Sequence, residues 1–417
     1  MTNLRDYLYT MESCNSCGQC RFILGPKTKG SDFVEICPIY THFLFESYSG
    51  QGMINMAQEL LEGSLHYDKG LVDHVYSCMT CGACDINCKS VRDMEVMDTI
   101  LALRAKCVED GWGPMPAQKK RCESILKFHN PFEEPHDQRQ DWLPDDIQLD
   151  DSVETAYFAG CSSSYRQQDI ARNTVSILRA GNMPFKLLSN DEFCCGGPLW
   201  RTGQHKEASD QAKHHLEIFK KMGIKTLIVS CAECYGTFRG FYPRIAGLPF
   251  EVKHISEIMK NMLQEGRLKL RQRIPIKATY HDPCLLGRLS ETYVPWEGEI
   301  LAYGYHKPPK KFRRGTHGLY DAPRDILNAI PDLELIEMTR NAENAFCCGG
   351  GGGVPEAFPD LSLQTAAERL REAASIGADS IVSCCPFCRS SFESAITETN
   401  SEIKYFDLTD LVARSIE

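Results

Sequence analysis

Cysteine is the residue type in this sequence with the clearest chemical role, and two tight runs of it lie near the start. The first run is Cys14-x2-Cys17-x2-Cys20 with Cys37-Pro38 beyond it, and the second is Cys78-x2-Cys81-x2-Cys84-x3-Cys88. Three cysteines at C-x2-C-x2-C wrap one loop around a face of an iron–sulfur cubane, whereas zinc sites usually take C-x2-C pairs from separate loops. The runs therefore predict two cubane [4Fe–4S] clusters, with a structural zinc module as the alternative.

The fourth ligand of each cluster is expected from the other run. In two-cluster ferredoxins the last cysteine of each run binds the cluster of its partner run. This pattern predicts two ligand sets: Cys14, Cys17, Cys20 and Cys88 in one, and Cys78, Cys81, Cys84 and Cys37 in the other. Two features depart from a simple ferredoxin: sixteen residues separate Cys20 from Cys37, and Lys89 stands where a proline usually follows the second run.

Adjacent cysteines followed by glycines form a second kind of site, and the chain carries it twice, as FCCGGP from Phe193 and as FCCGGGGGVP from Phe346. Each pair belongs to a set of five: Cys161, Cys194, Cys195, Cys231 and Cys234, and then Cys284, Cys347, Cys348, Cys385 and Cys388. Five thiolates exceed the four that zinc or a cubane takes, so a larger or opened iron–sulfur assembly could use them all. Zinc at four of the five, a strained vicinal disulfide and a phosphate-binding glycine loop stay open as alternatives.

The glycines beside the adjacent cysteines have an expected role of their own. Gly196 and Gly197 in the first set, and Gly349 and Gly350 in the second, let the backbone approach a cluster and leave N–H groups free for its sulfides. We therefore expect backbone contacts to the cofactor at these four positions.

Several further residues carry weaker predictions. His281, near Cys284, could donate a proton or a hydrogen bond near neutral pH, or be a structural neighbour of a ligand. Cys384 competes with Cys385 for one ligand position, while Cys107 and Cys122 lack partners and are expected to be buried thiols. The basic run KPPKKFRR, Lys307 to Arg314, is either a solvated loop or a docking site for an acidic partner or an anionic substrate.

From about residue 153 onward, short apolar strands alternate with amphipathic helices, which predicts βαβ units and a parallel sheet. The pattern repeats. The first unit has a strand before Cys161, a helix over Gln167–Ala180, FCCGG, a helix over Asp210–Met222 and the strand IVSC. The second unit has the same order, with helices near Ala322–Ile330 and over Leu361–Ile376. The cysteines follow the strands, where ligands collect in open α/β sheets. The repeat predicts one site in each half.

The predicted fold class is therefore α/β, with an N-terminal mainly α-helical two-cluster ferredoxin domain and two duplicated Rossmann-like βαβ units. Residues 1–128 form the ferredoxin-like domain, with a helical pattern over Val91–Gly111. Residues 129–152, polar and rich in proline, form a linker, and 153–270 and 271–417 form the two repeat domains.

Composition limits the function classes. The chain has 417 residues, a formal charge of −10 and 21 cysteines. The acidic balance argues against nucleic-acid binding, and no apolar run approaches the roughly 18 residues that span a bilayer. Without a secretory signal, the cysteines are expected to be thiolate ligands in a reducing, cytoplasmic setting, with any membrane association supplied by a partner subunit.

The spacing C-x31–39-CCG-x33–38-C-x2-C resembles that of the CCG-domain iron–sulfur family, and its fusion to a two-cluster ferredoxin module is similar to the heterodisulfide reductase D subunits, which join the C and B subunits of the soluble enzyme in one chain. The stretches YHDPCLLGR, from Tyr280, and CCPFC, from Cys384, also look typical of it. The resemblance implies one noncubane [4Fe–4S] cluster in each five-cysteine set and a disulfide bound between them that takes up two electrons. The interval of 62 residues after Cys284 exceeds the family's first spacing.

The resemblance also leaves a rival function. Related proteins serve several metabolic systems, so the chain could be an electron-relay subunit between a flavin-containing donor subunit and a partner reductase, such as an aromatic acyl-CoA reductase. A zinc-stabilised scaffold is the non-redox alternative. Because the chain carries no flavin or nucleotide fingerprint, both redox hypotheses predict an electron-donating partner and a hetero-oligomeric complex.

Overall fold

The computed structural model describes residues 3–23, 30–91 and 94–416. The first of three regions is helical, and its helices are α1 (Leu8–Ser13), α2 (Pro38–Phe43), α3 (Gly50–Glu62), α4 (Lys69–Tyr76), α5 (Ala83–Val91), α6 (Val96–Glu109) and α7 (Pro116–Phe128). The helical pattern predicted over Val91–Gly111 corresponds to the end of α5 and to α6, and positions 92 and 93 within it lie outside the described residues. Nowhere in these ranges is a helix long and apolar enough to cross a membrane.

Local sequence explains how these helices begin and where they pack. Pro38 occupies the first turn of α2 directly after Cys37, where its missing N–H is not needed. The Asp68 carboxylate accepts a hydrogen bond from the Leu71 N–H at 2.7 Å and caps α4. Helix α6 is buried over most of its length from Val96 to Leu103, so the other helices pack around it and hold the cysteine loops in place.

Two four-stranded sheets follow, each with all strands parallel. The first contains β1 (Thr155–Phe158), β2 (Lys186–Leu187), β3 (Thr226–Val229) and β4 (Glu251–His254), with α8 (Cys161–Tyr165), α9 (Gln168–Ala180), α10 (Gly197–Arg201), α11 (His205–Lys221), α12 (Ala232–Gly240) and α13 (Ile255–Gln264). The second contains β5 (Lys277–Tyr280), β8 (Glu334–Leu335), β9 (Ser380–Ser383) and β10 (Lys404–Asp407), with α14 (Asp321–Ala329), α15 (Val354–Ala357), α16 (Pro359–Ser375), α17 (Pro386–Thr399) and α18 (Leu408–Ser415).

The strand orders confirm the α/β fold class and the internal duplication. The first sheet runs β2-β1-β3-β4 and the second runs β8-β5-β9-β10, which is the same order in equivalent strands. Gly223 and Gly377 follow α11 and α16 with φ of +66° and +76°, a left-handed conformation that favours glycine at a helix end. The fourth strand of each sheet and the helix after it were not part of the predicted repeat.

The two halves are joined by a reciprocal exchange of helix contacts. The last helix of the first half, α13, packs on α14 of the second half, and the last helix of the second half, α18, packs on α9 of the first. A backbone bridge between Leu270 and Ile416 joins the ends of the two halves. Equivalent helices of the two halves therefore pack on each other in both directions, which holds the halves together.

The segment 129–152, predicted as a linker, packs on the first repeat domain. Arg139 and Trp142 are each only 2% exposed, and the Arg139 guanidinium pairs with Glu192 at 2.9 Å. The backbone N–H of Cys194 donates to the His129 carbonyl at 2.8 Å. The segment therefore connects the domains and also forms part of the wall beside the first adjacent cysteine pair.

The long interval after Cys284 holds a two-stranded hairpin, β6 (Glu299–Ile300) and β7 (His306–Lys307), and the basic run. Two cations of that run reach the N-terminal domain, since Lys310 pairs with Glu95 at 2.9 Å and Arg313 with Asp98 at 3.3 Å. The acidic partners of Lys310 and Arg313 therefore lie within the same chain. These two side chains are neither part of a solvated loop nor a docking site for another molecule, the two roles expected from the sequence.

Arg104 lies where all three regions meet, and its side chain is fully buried. Its guanidinium donates to the carbonyls of Val75 and Tyr76 in the N-terminal domain at 3.1 and 3.2 Å. It also donates to the carbonyls of Arg201 in the first repeat domain at 2.9 Å and Gly352 in the second at 2.8 Å. One side chain of α6 therefore ties the three regions together.

We expect Arg104→Met to lower the free energy of unfolding by about 3 kcal/mol or more, because several buried carbonyls would lose their donor. Urea unfolding of the anaerobically purified protein, followed by circular dichroism, measures the change. Arg414→Met is the matched control: Arg414 is 60% exposed and pairs within its own helix, so a change within about 0.5 kcal/mol is expected. Equal midpoints for the two variants would contradict this role.

Candidate metal centres

The first set of cysteines surrounds a cavity in the N-terminal domain. A cavity of about 220 Å³ is lined by the four predicted ligands of one cubane, Cys14, Cys17, Cys20 and Cys88. Cys17 is exposed and Cys20 is buried. The backbone N–H of Gln51 donates to the Cys20 sulfur at 3.4 Å. The structure therefore brings these four thiols together close to the protein surface.

The second set lies deeper. Cys37, Cys78, Cys81 and Cys84 line a smaller cavity of about 20 Å³, and the Thr80 N–H donates to the Cys78 sulfur at 3.4 Å. The grouping is the crossed one expected from the sequence, with Cys37 among the cysteines of the second run. Lys89, in place of the usual proline, is 4% exposed and pairs with Asp85 at 3.1 Å and Glu95 at 2.8 Å.

The five cysteines of the first repeat domain form a continuous chain of thiol contacts. In order they are Cys161, Cys194, Cys195, Cys234 and Cys231, all of them buried. Hydrogen bonds from Cys194 and then Cys234 lower the pKa of Cys195 to about 5. Thiolates are the form of cysteine that binds metals, so the centre of this chain is already suited to a metal site.

The second repeat domain builds a similar chain from Cys347, Cys348, Cys388 and Cys385. Hydrogen bonds from the Cys347 thiol and then Cys388 lower the pKa of Cys348 well below its usual value. Cys284, the fifth predicted ligand, is less buried and lies near Cys348. His281 joins this group, because its ring nitrogen and the sulfurs of Cys348 and Cys388 all lie within 4.8 Å of one another.

Three cysteines lie apart from these sets. The Cys384 thiol contacts the Tyr280 hydroxyl at 2.9 Å, whereas Cys385 contacts the other cysteines of the second set, so Cys385 occupies the contested position. Cys122 contacts the Thr202 hydroxyl at 3.4 Å, and Cys107 is fully buried in the N-terminal core.

The four predicted glycines hold their backbones against the cysteine sulfurs. The N–H groups of Gly349 and Gly350 donate to Cys347 and Cys348, each at 3.4 Å, and those of Gly196 and Gly197 contact the first pair in the same way. Gly349 has φ of +89°, which excludes most side chains. A Cβ on Gly350 would lie 2.9 Å from the Phe387 carbonyl, so the second glycine allows close packing of α17.

The additional glycines of the second set make room for the N-terminal domain. A Cβ on Gly351 would lie 2.5 Å from the Met79 carbonyl, and one on Gly352 would lie 2.7 Å from the Cys78 carbonyl. The loop of the deeper N-terminal cysteines therefore rests directly on this glycine run. Close backbone packing explains the run without a phosphate.

Direct thiol contacts link three of the four sets. A hydrogen bond from Cys347 lowers the pKa of Cys81 to about 6, which joins the deeper N-terminal set to the second repeat domain. Cys231 of the first repeat domain contacts Cys385 of the second. The cysteines thus extend from the N-terminal domain through both repeat domains.

Buried arginines surround these sets, and the cysteine spacing gives no indication of them. Arg139 contacts the Cys161 sulfur at 3.6 Å. Arg288 donates to the Cys81 carbonyl at 2.8 Å, and Arg201 donates to Thr80 at 2.8 Å. Their positive charges would favour thiolates and an anionic cofactor.

The donor sets fit iron–sulfur clusters. Each offers four or five soft sulfur donors with backbone N–H groups aimed at sulfur, the arrangement that holds and tunes such clusters. In the first repeat domain, a fifth thiol in the same series of contacts exceeds what tetrahedral zinc needs, and in the second Cys284 lies near the four contacting thiols.

Comparison with known proteins agrees with this architecture. Residues 10–91 match the family described as 4Fe-4S dicluster domain, and residues 155–239 and 303–393 match the cysteine-rich domain family, CCG. The D subunit of dihydromethanophenazine:CoB–CoM heterodisulfide reductase from Methanosarcina mazei is 31% identical over 98% of this chain and 95% of its own length. EtfAB:quinone oxidoreductase of Syntrophomonas wolfei is 27% identical over 86% of this chain and 48% of its own length. The B subunit of fumarate reductase (CoM/CoB) from Methanothermobacter marburgensis is 26% identical over 82% and 62%, respectively.

The crossed ligand sets predict how iron is lost when cysteines are replaced. Cys37→Ser and Cys84→Ser should each affect the same cluster, so the double variant should lose roughly four irons, like either single variant. Pairing Cys37→Ser with Cys20→Ser should instead lose roughly eight. Iron and acid-labile sulfide counts after anaerobic purification measure both.

Cys107→Ser is the control for these substitutions, because it replaces a buried thiol outside every set and should retain all iron. If Cys37→Ser and Cys20→Ser together lost no more iron than one of them alone, the crossed assignment would be wrong.

Proposed function

Because this chain belongs to the family of the heterodisulfide reductase D subunits and is thus an iron–sulfur electron-transfer oxidoreductase, we propose that it reduces a small disulfide between its two CCG sites. Two cubane [4Fe–4S] clusters in the N-terminal domain would supply the electrons. Each CCG set would hold a noncubane [4Fe–4S] cluster.

The observation that carries this proposal is the continuous series of cysteine contacts. Cys81 touches Cys347, and Cys385 touches Cys231, so no domain boundary separates the ligand sets by a layer of other protein. Such closeness supports stepwise electron transfer from the N-terminal domain into the second CCG site and on to the first. Exposure of Cys17 supports arrival of the electrons at the outer N-terminal set.

A large cavity beside both CCG sites supports the binding of a small substrate. It has a volume of about 610 Å³, within the range of small-molecule sites. Its lining includes Ser162, next to Cys161, and both Gly350 and Phe387, next to ligands of the second set. A disulfide in this cavity would therefore approach both halves of the molecule.

The reaction is balanced by two electrons and two protons: the S–S bond breaks and each sulfur leaves as a thiol. When bound, the clusters would supply single electrons and iron with affinity for sulfur. The protein would orient the substrate with the cavity wall, where the Arg121 guanidinium lies over the Phe387 ring at 5.3 Å and pairs with Glu356. Protons would arrive from water in the open cavity.

An electron-donating partner is part of the proposal. The M. mazei and M. marburgensis relatives are named as subunits, which agrees with a chain that works within a multi-subunit oxidoreductase. We expect a flavin-containing or other redox subunit to bind near Cys17.

An electron-relay subunit is the second candidate function. The likeness to EtfAB:quinone oxidoreductase favours it, because that name carries no disulfide substrate. On this hypothesis the cavity would receive part of a partner reductase such as an aromatic acyl-CoA reductase, and no small disulfide would react.

Electron paramagnetic resonance during anaerobic titration with disulfides distinguishes the two functions. We expect roughly sixteen irons and a signal from the CCG-bound clusters that changes on adding a disulfide or its thiols. If no disulfide or thiol in a chemically varied panel changes that signal, the reductase hypothesis fails and the relay remains. About four zinc ions with little iron would contradict both the reductase and the relay hypotheses.

Narrowing the cavity should weaken disulfide binding without affecting the clusters. Ser394→Trp places a large ring at the cavity wall, and we expect KM for the disulfide to rise about tenfold with iron content unchanged. Ser375→Trp, on an exposed position of α16 outside the cavity lining, is the control. An unchanged KM in Ser394→Trp would place the substrate elsewhere.

A further inference from the structure

His281 has an environment that determines where its ring proton resides. The ring is 1% exposed, packs edge-on against Phe392 at 4.9 Å between ring centroids, and its backbone N–H donates to the Val382 carbonyl at 2.8 Å. These contacts hold the ring in one orientation at the carboxyl end of β5.

Arg369 of α16 donates a hydrogen bond to one ring nitrogen of His281. Its Nε–H donates to Nδ1 of His281 at 3.3 Å, and both side chains are buried. A guanidinium has only donors and stays protonated in proteins, so Nδ1 must be the acceptor. The proton of the neutral imidazole must therefore lie on Nε2.

A buried ion network keeps Arg369 in this position. The Glu372 carboxylate, itself fully buried, accepts from Arg369 Nη1 at 2.5 Å and from Arg340 Nε at 2.9 Å. Glu368 adds a second carboxylate at 2.9 Å from Arg340. The exposed Arg371 also pairs with Glu368, so three cations surround two anions, and turning Arg369 away would leave its own buried charge unpaired.

The ring of His281 also lies beside sulfur, since a ring nitrogen and the sulfurs of Cys348 and Cys388 all lie within 4.8 Å of one another. With Nδ1 accepting from Arg369, Nε2 is the nitrogen left to donate to these sulfurs. A histidine that binds a metal uses an unprotonated nitrogen and donates the other N–H to a neighbour. Here the neighbour is a donor, so the arrangement is the reverse of a metal ligand.

Among the residues that the structure describes, the first half of the molecule shows no such arrangement. Strand pairing aligns Phe158 with Tyr280, since each lies opposite the last valine of its neighbouring strand, and Ala159 then occupies the position of His281. The side-chain donor at the first site is Arg139, which contacts Cys161 instead of a cysteine of the adjacent pair.

We propose that Arg369 is a positioning residue that holds His281 as its Nε2–H tautomer, and that His281 donates this hydrogen to Cys348 and so raises the reduction potential of the second CCG cluster alone. A donated hydrogen bond stabilises the more negative, reduced cluster. The proposal rests on the CCG sites holding iron–sulfur clusters, as part of the proposed function, and does not require disulfide reduction.

Redox titration of the full protein, monitored by electron paramagnetic resonance with no disulfide present, tests it. The signal of the second CCG cluster is identified as the one lost in Cys385→Ser. His281→Phe keeps a ring against Phe392 but removes the hydrogen-bond donor, so the midpoint potential of the second CCG cluster should fall in this variant. His281→Gln restores an N–H donor and should recover part of the shift. Arg369→Met no longer restricts His281 to the Nε2–H tautomer, so the midpoint potential of the second CCG cluster should fall, but by less than in His281→Phe.

The controls separate the proposal from general damage. His205→Phe replaces another buried histidine, one that hydrogen-bonds to the backbone of Trp200, and should leave every potential unchanged. Loss of about four irons in His281→Phe, with retention in His205→Phe, would show that His281 is a ligand and overturn the proposal. Equal potentials in wild type, His281→Phe and Arg369→Met would overturn it too. Because no disulfide is present, failure of the reductase hypothesis would not alter these results.

Discussion

The structure depends on buried positive charge at the contact between the N-terminal domain and the two repeat domains. Arg104 and Arg288 donate to backbone carbonyls, including that of Cys81, and neither has a carboxylate partner among the described side chains. A buried guanidinium is costly unless negative charge compensates it. Thiolate ligand sets on either side are the natural source of that charge. Cluster binding and domain assembly are therefore expected to stabilise each other.

The reciprocal packing of helices explains how two similar cysteine sets come to lie in one unit. Pairing α13 with α14 and α18 with α9 joins the two halves of the molecule. Ligands collect at the carboxyl edges of parallel sheets, so the duplication places two cysteine sets beside each other. The contact between Cys231 and Cys385 is the direct result. A single half would offer one set and no partner across the cavity.

Local pattern was enough to predict the α/β class, the internal duplication and the helical N-terminal domain, because each depends on periodicity and on cysteine spacing. The fourth strands, Glu251–His254 and Lys404–Asp407, were missed because short polar-containing strands give weak signals. The roles of segment 129–152 and of Arg139 were also missed. A proline-rich acidic stretch looks like a linker, and only tertiary packing shows that its arginine reaches Glu192 and a cysteine sulfur.

Duplication alone would predict two equivalent sites, yet the halves differ where the rest of the molecule touches them. The second set receives the N-terminal loop on Gly351 and Gly352, and its own insertion pairs Lys310 with Glu95 across the same boundary. The first set instead receives Arg139 from the connecting segment. The two sets keep nearly equal cysteine spacing from the adjacent pair onward, despite the longer interval after Cys284, whereas the hydrogen bonds and charges around them differ. Unequal hydrogen bonds and charges of this kind would give the clusters of the proposed function different reduction potentials.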